Sequence, residues 1–203
     1  MKVLFINGSC NKNGCTFRAL TEIEQVLKKE NVETEIVQLG SAPVRDCIGC
    51  GGCAENANKC VFNDDIVNEI IEKAKTSDGF VFGSPVYYAH PSGRLLSVLD
   101  RVFYAGGKFL AYKPAAAVVS ARRAGTTASV DVINKYFTIN NMPVVSSQYW
   151  NMVHGTKPSE VEQDLEGLHV MRIIAKNMVW LLNLMKQNGH PEPEIKQVTN
   201  FIR

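Results

Sequence analysis

Apolar runs bounded by Gly, Pro and Asn alternate along the chain with longer segments of helical period, which is the pattern of βαβ units feeding a parallel sheet. Strands are predicted at Lys2–Asn7, Glu33–Leu39, Gly79–Gly83, Ala115–Ser120 and Val144–Trp150. Helices are predicted at Thr16–Lys29, Asp64–Thr76, Ser92–Tyr104 and Thr126–Phe137, with a last one from about Ser159 to Met185. Five strands each followed by a helix predict an α/β fold, a five-stranded parallel sheet of order 2-1-3-4-5 with helices on both faces. In such a sheet the ligand lies at the carboxyl ends of the strands. The site is therefore expected in the loops Gly8–Cys15, Gly83–His90, Ser120–Gly125 and Trp150–Lys157.

The last helix carries a stripe of Val161, Leu165, Leu168, Met171, Ile174, Met178, Leu181 and Met185 at steps of three and four, expected to face the core. Val170, Ile173, Trp180 and Leu184 lie off that stripe and suggest either a subunit interface or a thicker core beneath the helix. A homodimer or homotetramer is the expectation. No internal repeat or linker is visible, so residues 1–188 are expected to form one domain, with a polar tail over 189–203.

The length of 203 residues suits one domain with a sizeable core. Lys and Arg number 22 against 20 Asp and Glu, so a net charge of +2 argues against nucleic acid or an anionic membrane as the main partner. The opening MKVLFINGSC is too short for a signal-peptide core or a membrane span, and a soluble, cytoplasmic protein is expected. Thiols stay reduced in that compartment. Disulfides are then the weakest account of Cys47, Cys50, Cys53 and Cys60.

The first loop, NGSCNKNGCT, joins a strand to a helix start, where backbone N–H groups favour an anion. Ser9, Asn11, Asn13 and Thr16 add neutral donors, and Gly8 and Gly14 permit close approach. Neither a Walker loop nor a G-x-G-x-x-G is present, so a mononucleotide phosphate fits better than a dinucleotide. An ordinary strand-to-helix turn with Thr16 near the cap is the plainer alternative.

The cysteine segment has the spacing C-x2-C-x2-C-x6-C, in which Gly49, Gly51 and Gly52 let the chain curl so that thiolates converge on one cluster. Bare thiols are the second account. Zinc is a third, although its usual two separated pairs are absent. Cys10 and Cys15, in the first loop, are not expected to be ligands, and Asp64 and Asp65 are expected to cap the following helix.

The stretches INGSCNKNGCT, GSPVYYAHPSGRLLSVLDR, SARRAGTTASVDVINKYF and the cysteine segment ending in VFNDD resemble the flavodoxin-like NADPH-dependent FMN reductases, in the branch that includes the iron–sulfur flavoproteins. The resemblance implies FMN held by Ser9, Asn11, Asn13, Gly14, Cys15 and Thr16 at its phosphate and by Ser84, Pro85, Val86, Tyr87 and Tyr88 along its ring. It also places Ser120, Arg122, Arg123 and Gly125 beside the flavin, where a cation would stabilise the reduced ring, although adjacent arginines are also a common solvated surface feature. Tyr87 and Tyr88 could equally pack on the core. Cys47, Cys50, Cys53 and Cys60 become the implied ligands of a 4Fe-4S cluster.

The chain departs from the family pattern in the first loop, where Cys10 and Asn11 stand for the usual Pro-Arg and Cys15 for Asn. Loss of that Arg throws phosphate binding onto the helix terminus and neutral donors. Trp150, Asn151 and His154 could cover the flavin or reach a neighbouring subunit, and no catalytic residue is assigned.

The function implied is an FMN-dependent oxidoreductase passing electrons from NAD(P)H, or from a ferredoxin through the cluster, to a small acceptor such as a quinone, a flavin or another electrophile. The competing classes are an iron–sulfur and FMN electron carrier without hydride chemistry and a nucleotide-binding regulator without flavin.

Overall fold

In the computed structural model, which describes residues 1–195, 197–199 and 201, the elements alternate as the periodicity predicts. They are β1 (Lys2–Asn7), α1 (Cys15–Lys29), β2 (Glu33–Gln38), α2 (Val67–Lys75), β3 (Gly79–Tyr87), β4 (His90–Pro91), α3 (Gly93–Gly106), β5 (Ala115–Ala121), α4 (Thr126–Ile139), β6 (Met152–His154), α5 (Pro158–Val161) and α6 (Leu165–Asn188). Of the expected tail 189–203, positions 196, 200, 202 and 203 lie outside the described residues.

The sheet has six strands rather than five, in the order β2-β1-β3-β5-β6, with β4 pairing antiparallel to β3. The expected order 2-1-3-4-5 is corrected by that short hairpin strand, which takes the fourth place in chain order. The other pairings are all parallel.

Residues 3 to 7 of β1 are buried throughout, because a parallel strand covered on both faces has no solvent side. Alternation sorts the side chains into two cores. Leu4, Ile6, Phe80, Phe82, Ala117 and Val119 pack with α2, α3 and α4, whereas Val3, Phe5, Val81 and Val118 pack with α1 and α6.

The predicted strand Val144–Trp150 is displaced. Val144 makes only an isolated bridge to Ala115, and the strand proper is Met152–His154. Between them Asn151 Nδ2 donates to Val145 O at 3.1 Å, closing a loop that lifts residues 146–150 off the sheet. The predicted helix from Ser159 is likewise broken in two at Asp164, whose carboxylate accepts from Gly167 N at 2.9 Å and His154 N at 2.7 Å.

Most of the expected stripe faces the core, with Val161, Leu168, Met171, Ile174 and Met178 buried. Val170 and Leu182 are core residues, while Leu165 is 74% exposed. Trp180 and Leu184 remain exposed on one side, four positions apart.

Glu22 ties α1 to α6, accepting from Arg172 Nη1 at 2.6 Å and Arg18 Nη1 at 3.0 Å. Burial pushes its carboxyl up, but the two guanidiniums outweigh this and hold it below its ordinary value of 4.5. Because the folded value is depressed, this stabilisation is present above the ordinary carboxylate range and lost as pH falls through the folded value. Glu22→Gln is expected to flatten the decline in stability between about pH 5 and pH 3, measured by urea unfolding at each pH.

Candidate functional site

The loop after β1 is built from its own polar side chains. Ser9 N donates to Asn7 Oδ1 at 3.1 Å, Asn11 N donates to Ser9 Oγ at 3.1 Å, and Gln38 Nε2 ties Ser9 O to β2 at 2.6 Å. Gly8 N donates to Gly83 O at 2.8 Å, and a Cβ at Gly8 would stand 2.7 Å from that oxygen, so the close passage of the two loops requires glycine. α1 then begins with Gly14 as its cap, no acidic residue in its first turn and Lys28 and Lys29 in its last. Its positive end is left open to an anion.

This end opens into a cleft of about 710 Å³, within the range of a cofactor site. Ser9, Asn11, Asn13, Gly14, Cys15 and Thr16 line one side, Pro85, Val86 and Tyr87 a second, and Ser120 and Arg122 a third. Thr16 and Ser120 hydroxyls share a hydrogen bond of 2.8 Å across the floor. Burial pushes the Cys15 thiol up from 9.0, which keeps it protonated at neutral pH, and its Sγ donates to Gly155 O at 3.4 Å.

The sequence did not single out Lys12 and Lys157, which line the same cleft. Together with Arg122 they place three cations on the cleft lining, in a chain that lacks the family's loop arginine. Lys12 was legible as the one cation in the loop, whereas Lys157 lies in an expected site loop but reaches the cleft only because β6 and α5 bring it there. Lys157→Ala is expected to weaken binding of a phosphate-bearing ligand about five-fold, as fits an exposed cation worth roughly 1 kcal/mol, measured by fluorescence titration.

Other expected residues take supporting places. Ser84 is fully buried and accepts from Ser92 N at 2.8 Å while donating to Pro85 O at 2.8 Å, so its hydroxyl organises the hairpin rather than opening to the cleft. Tyr88 is completely exposed at the hairpin tip, with φ of 52° followed by 59° at Ala89, as a two-residue type I′ turn demands. Neither Tyr87 nor Tyr88 packs into the core. Tyr87 stands at the cleft rim, where burial and the neighbouring Cys10 thiol raise its phenol above the ordinary value of 10.0.

Arg123 is exposed and does not line the cleft. Gly125 has φ of 87°, starts α4 and lets it abut the hairpin at Ala89. Asn151 is buried in its own turn, and His154 and Trp150 line a separate small cavity with Asp164. None of the three reaches the cleft.

The four cysteines of the second segment line one cavity together, with Phe62, Arg101 and Tyr104. Cys50 is exposed, Cys47 and Cys53 are half-buried and Cys60 is buried. The loop curls through positive φ at Gly49 and Gly51, and the place of a Cβ at Gly52 is taken by the Val61 side chain at 2.7 Å. Among the described residues no three His, Cys, Asp or Glu side chains converge on one point that a single ion would occupy. Tetrahedral zinc, with Zn–S of about 2.3 Å, needs such convergence. A cluster holds its thiolates further apart around a larger body, and four thiols on the wall of one cavity suit that donor set.

The predicted helix start at Asp64 moves to Val67, because Asp65 Oδ1 accepts from Val67 N at 3.1 Å and Asp64 is drawn aside by Arg45. The cysteine cavity and the cleft at the start of α1 share no lining residue among the described residues, although α3 serves both. Its cap Ser92 donates to Gly8 O at 2.9 Å, and its Arg101 and Tyr104 face the cysteines.

Residues 1–157 match the family described as NADPH-dependent FMN reductase. An iron–sulfur flavoprotein of Methanocaldococcus jannaschii is 32% identical over 198 residues, which cover 92% of this chain and 100% of that one. An iron–sulfur flavoprotein of Methanosarcina thermophila is 28% identical over 192 residues, covering 93% and 98%. Among solved structures, a flavone reductase superposes with a TM-score of 0.69 at 17% identity, covering 94% of this chain and 66% of that one. A flavodoxin from the domain Archaea does so with 0.61 at 13%, covering 90% and 99%. At such identities the structural likeness shows the fold, which is flavodoxin-like.

Proposed function

Since the chain belongs to the NADPH-dependent FMN reductase family and is similar over nearly its whole length to iron–sulfur flavoproteins, we propose that it is an FMN-binding oxidoreductase that passes electrons from NAD(P)H to a small acceptor such as a quinone or a free flavin. The observation that carries this is the cleft joining the open start of α1, the wall Pro85–Tyr87 and the cations Lys12, Arg122 and Lys157. FMN would supply the redox chemistry, taking up a hydride or single electrons and releasing them to the acceptor.

The chain's own residues bind and orient. The first-turn N–H groups of α1, with Asn11, Asn13 and Thr16, hold the phosphate, and Lys12 and Lys157 balance its charge. Pro85, Val86 and Tyr87 offer the flat apolar wall that a ring needs. Arg122 favours negative charge at the neighbouring edge of the cleft.

A second role is favoured by the cysteine cavity, in which Cys47, Cys50, Cys53 and Cys60 would hold a 4Fe-4S cluster that takes single electrons from a donor such as a ferredoxin. On that account the protein acts as an electron carrier as well as, or instead of, a hydride acceptor. The exposed Trp180 and Leu184 support association of copies through α6, for which sedimentation equilibrium is the check. Among the described residues no helix is long and apolar enough to cross a membrane.

The test is anaerobic purification, with FMN, iron and acid-labile sulfide measured per chain, followed by NADH and NADPH oxidation with a benzoquinone as acceptor. Bound or reconstitutable FMN and sustained turnover with either nucleotide are expected. Absence of FMN binding would sink the proposal, and FMN binding without turnover would leave only the carrier role.

A further inference from the structure

On the wall of the cysteine cavity Arg101 belongs to a buried ion pair that takes no part in the cleft at the start of α1. Arg101 of α3 is 1% exposed, the largest fully buried side chain among the described residues, and its guanidinium meets Asp65, whose side chain is 5% exposed. Nη1 also donates to Arg45 O at 3.2 Å, and the ring of Phe62 lies 5.5 Å from the guanidinium carbon. Nη2 donates to Phe62 O at 3.5 Å, and Nε donates to Cys60 Sγ at 3.3 Å.

Cys60 is the buried thiol and the best anchored. Its N–H donates to Asn68 Oδ1 at 2.8 Å, and its carbonyl accepts from Asn68 Nδ2 at 2.9 Å and Asn56 Nδ2 at 3.1 Å. A guanidinium is costly to bury, and Asp65 with the carbonyls would satisfy a purely structural role. The N–H aimed at sulfur goes beyond that need.

We propose that Arg101, offset by Asp65, is a positioning residue that sets the reduction potential of a cluster held by Cys47, Cys50, Cys53 and Cys60. This rests on the cluster role given above. An N–H bond to the ligand sulfur and a fixed cation beside it favour the more negative, reduced form, and so raise the potential. Asp65 counteracts part of that field. Removing only the anion, in Asp65→Asn, therefore raises the potential. Removing both charges, in Arg101→Met with Asp65→Leu, lowers it, and an apolar pair of similar volume is the replacement such a site tolerates best.

The experiment compares the full chain and these two variants after anaerobic reconstitution with ferrous iron and sulfide. Iron and sulfide are counted, and each protein is then titrated with dithionite, one electron per cluster, followed by electron paramagnetic resonance. The expected result is equal cluster content in all three proteins, with midpoint potentials ordered Asp65→Asn above the parent and the apolar pair below it. Unmoved potentials, shifts in one direction, or loss of iron from either variant would overturn the role of Arg101 while leaving the cluster in place. A parent chain that takes up no iron and sulfide would overturn the cluster and this role together.

Discussion

Gly125→Ala is expected to destabilise the folded chain by about 2–5 kcal/mol and to abolish FMN binding, seen as a lowered urea midpoint and the loss of flavin fluorescence quenching. The residue has φ of 87°, where a side chain is strained, and its added Cβ would lie 2.4 Å from Ala89 Cα. Backbone cannot yield as a flexible side-chain end can. Either the start of α4 or the hairpin must move, and the hairpin carries Val86 and Tyr87 on the cleft wall. An alanine variant that keeps both the parent midpoint and the parent flavin affinity would show that the contact relaxes without moving the wall.

Arg101→Ala is expected to cost about 3–5 kcal/mol in urea unfolding, because it leaves the Asp65 carboxylate buried without its partner. Adding Asp65→Asn to Arg101→Ala is expected to recover part of that loss, since the second change removes the uncompensated charge. Additive losses in this double-mutant cycle would mean that the two side chains do not act as a pair. Stability and potential are separate readouts of this ion pair: the first follows from burial, the second from the Nε–H aimed at Cys60.

Strands β1, β3 and β5 were legible because a strand covered on both faces must be written as an uninterrupted apolar run. The turn that opens α1 into the cleft was legible through its glycines and its place between β1 and α1. Less was visible where long-range contacts choose among local options. Residues 144–150 carry strand-like composition, yet Asn151 turns the chain away and hands the edge position to Met152–His154. Ser84 and Gly125 look like ligand contacts in a line of sequence, but they are the internal supports of the hairpin and of α4.

By itself the sequence determined the α/β alternation, the anion-favouring turn after β1 and the presence of four closely spaced thiols, because each is written in periodicity or spacing over a few residues. Only the tertiary structure decided which charges serve which cavity. Lys157 reaches the cleft at the start of α1 through the edge strand, and Arg101 meets Cys60 across 41 positions through the packing of α3 against the cysteine loop. Such pairings depend on where elements dock, and docking is set by the two cores taken whole rather than by any local pattern.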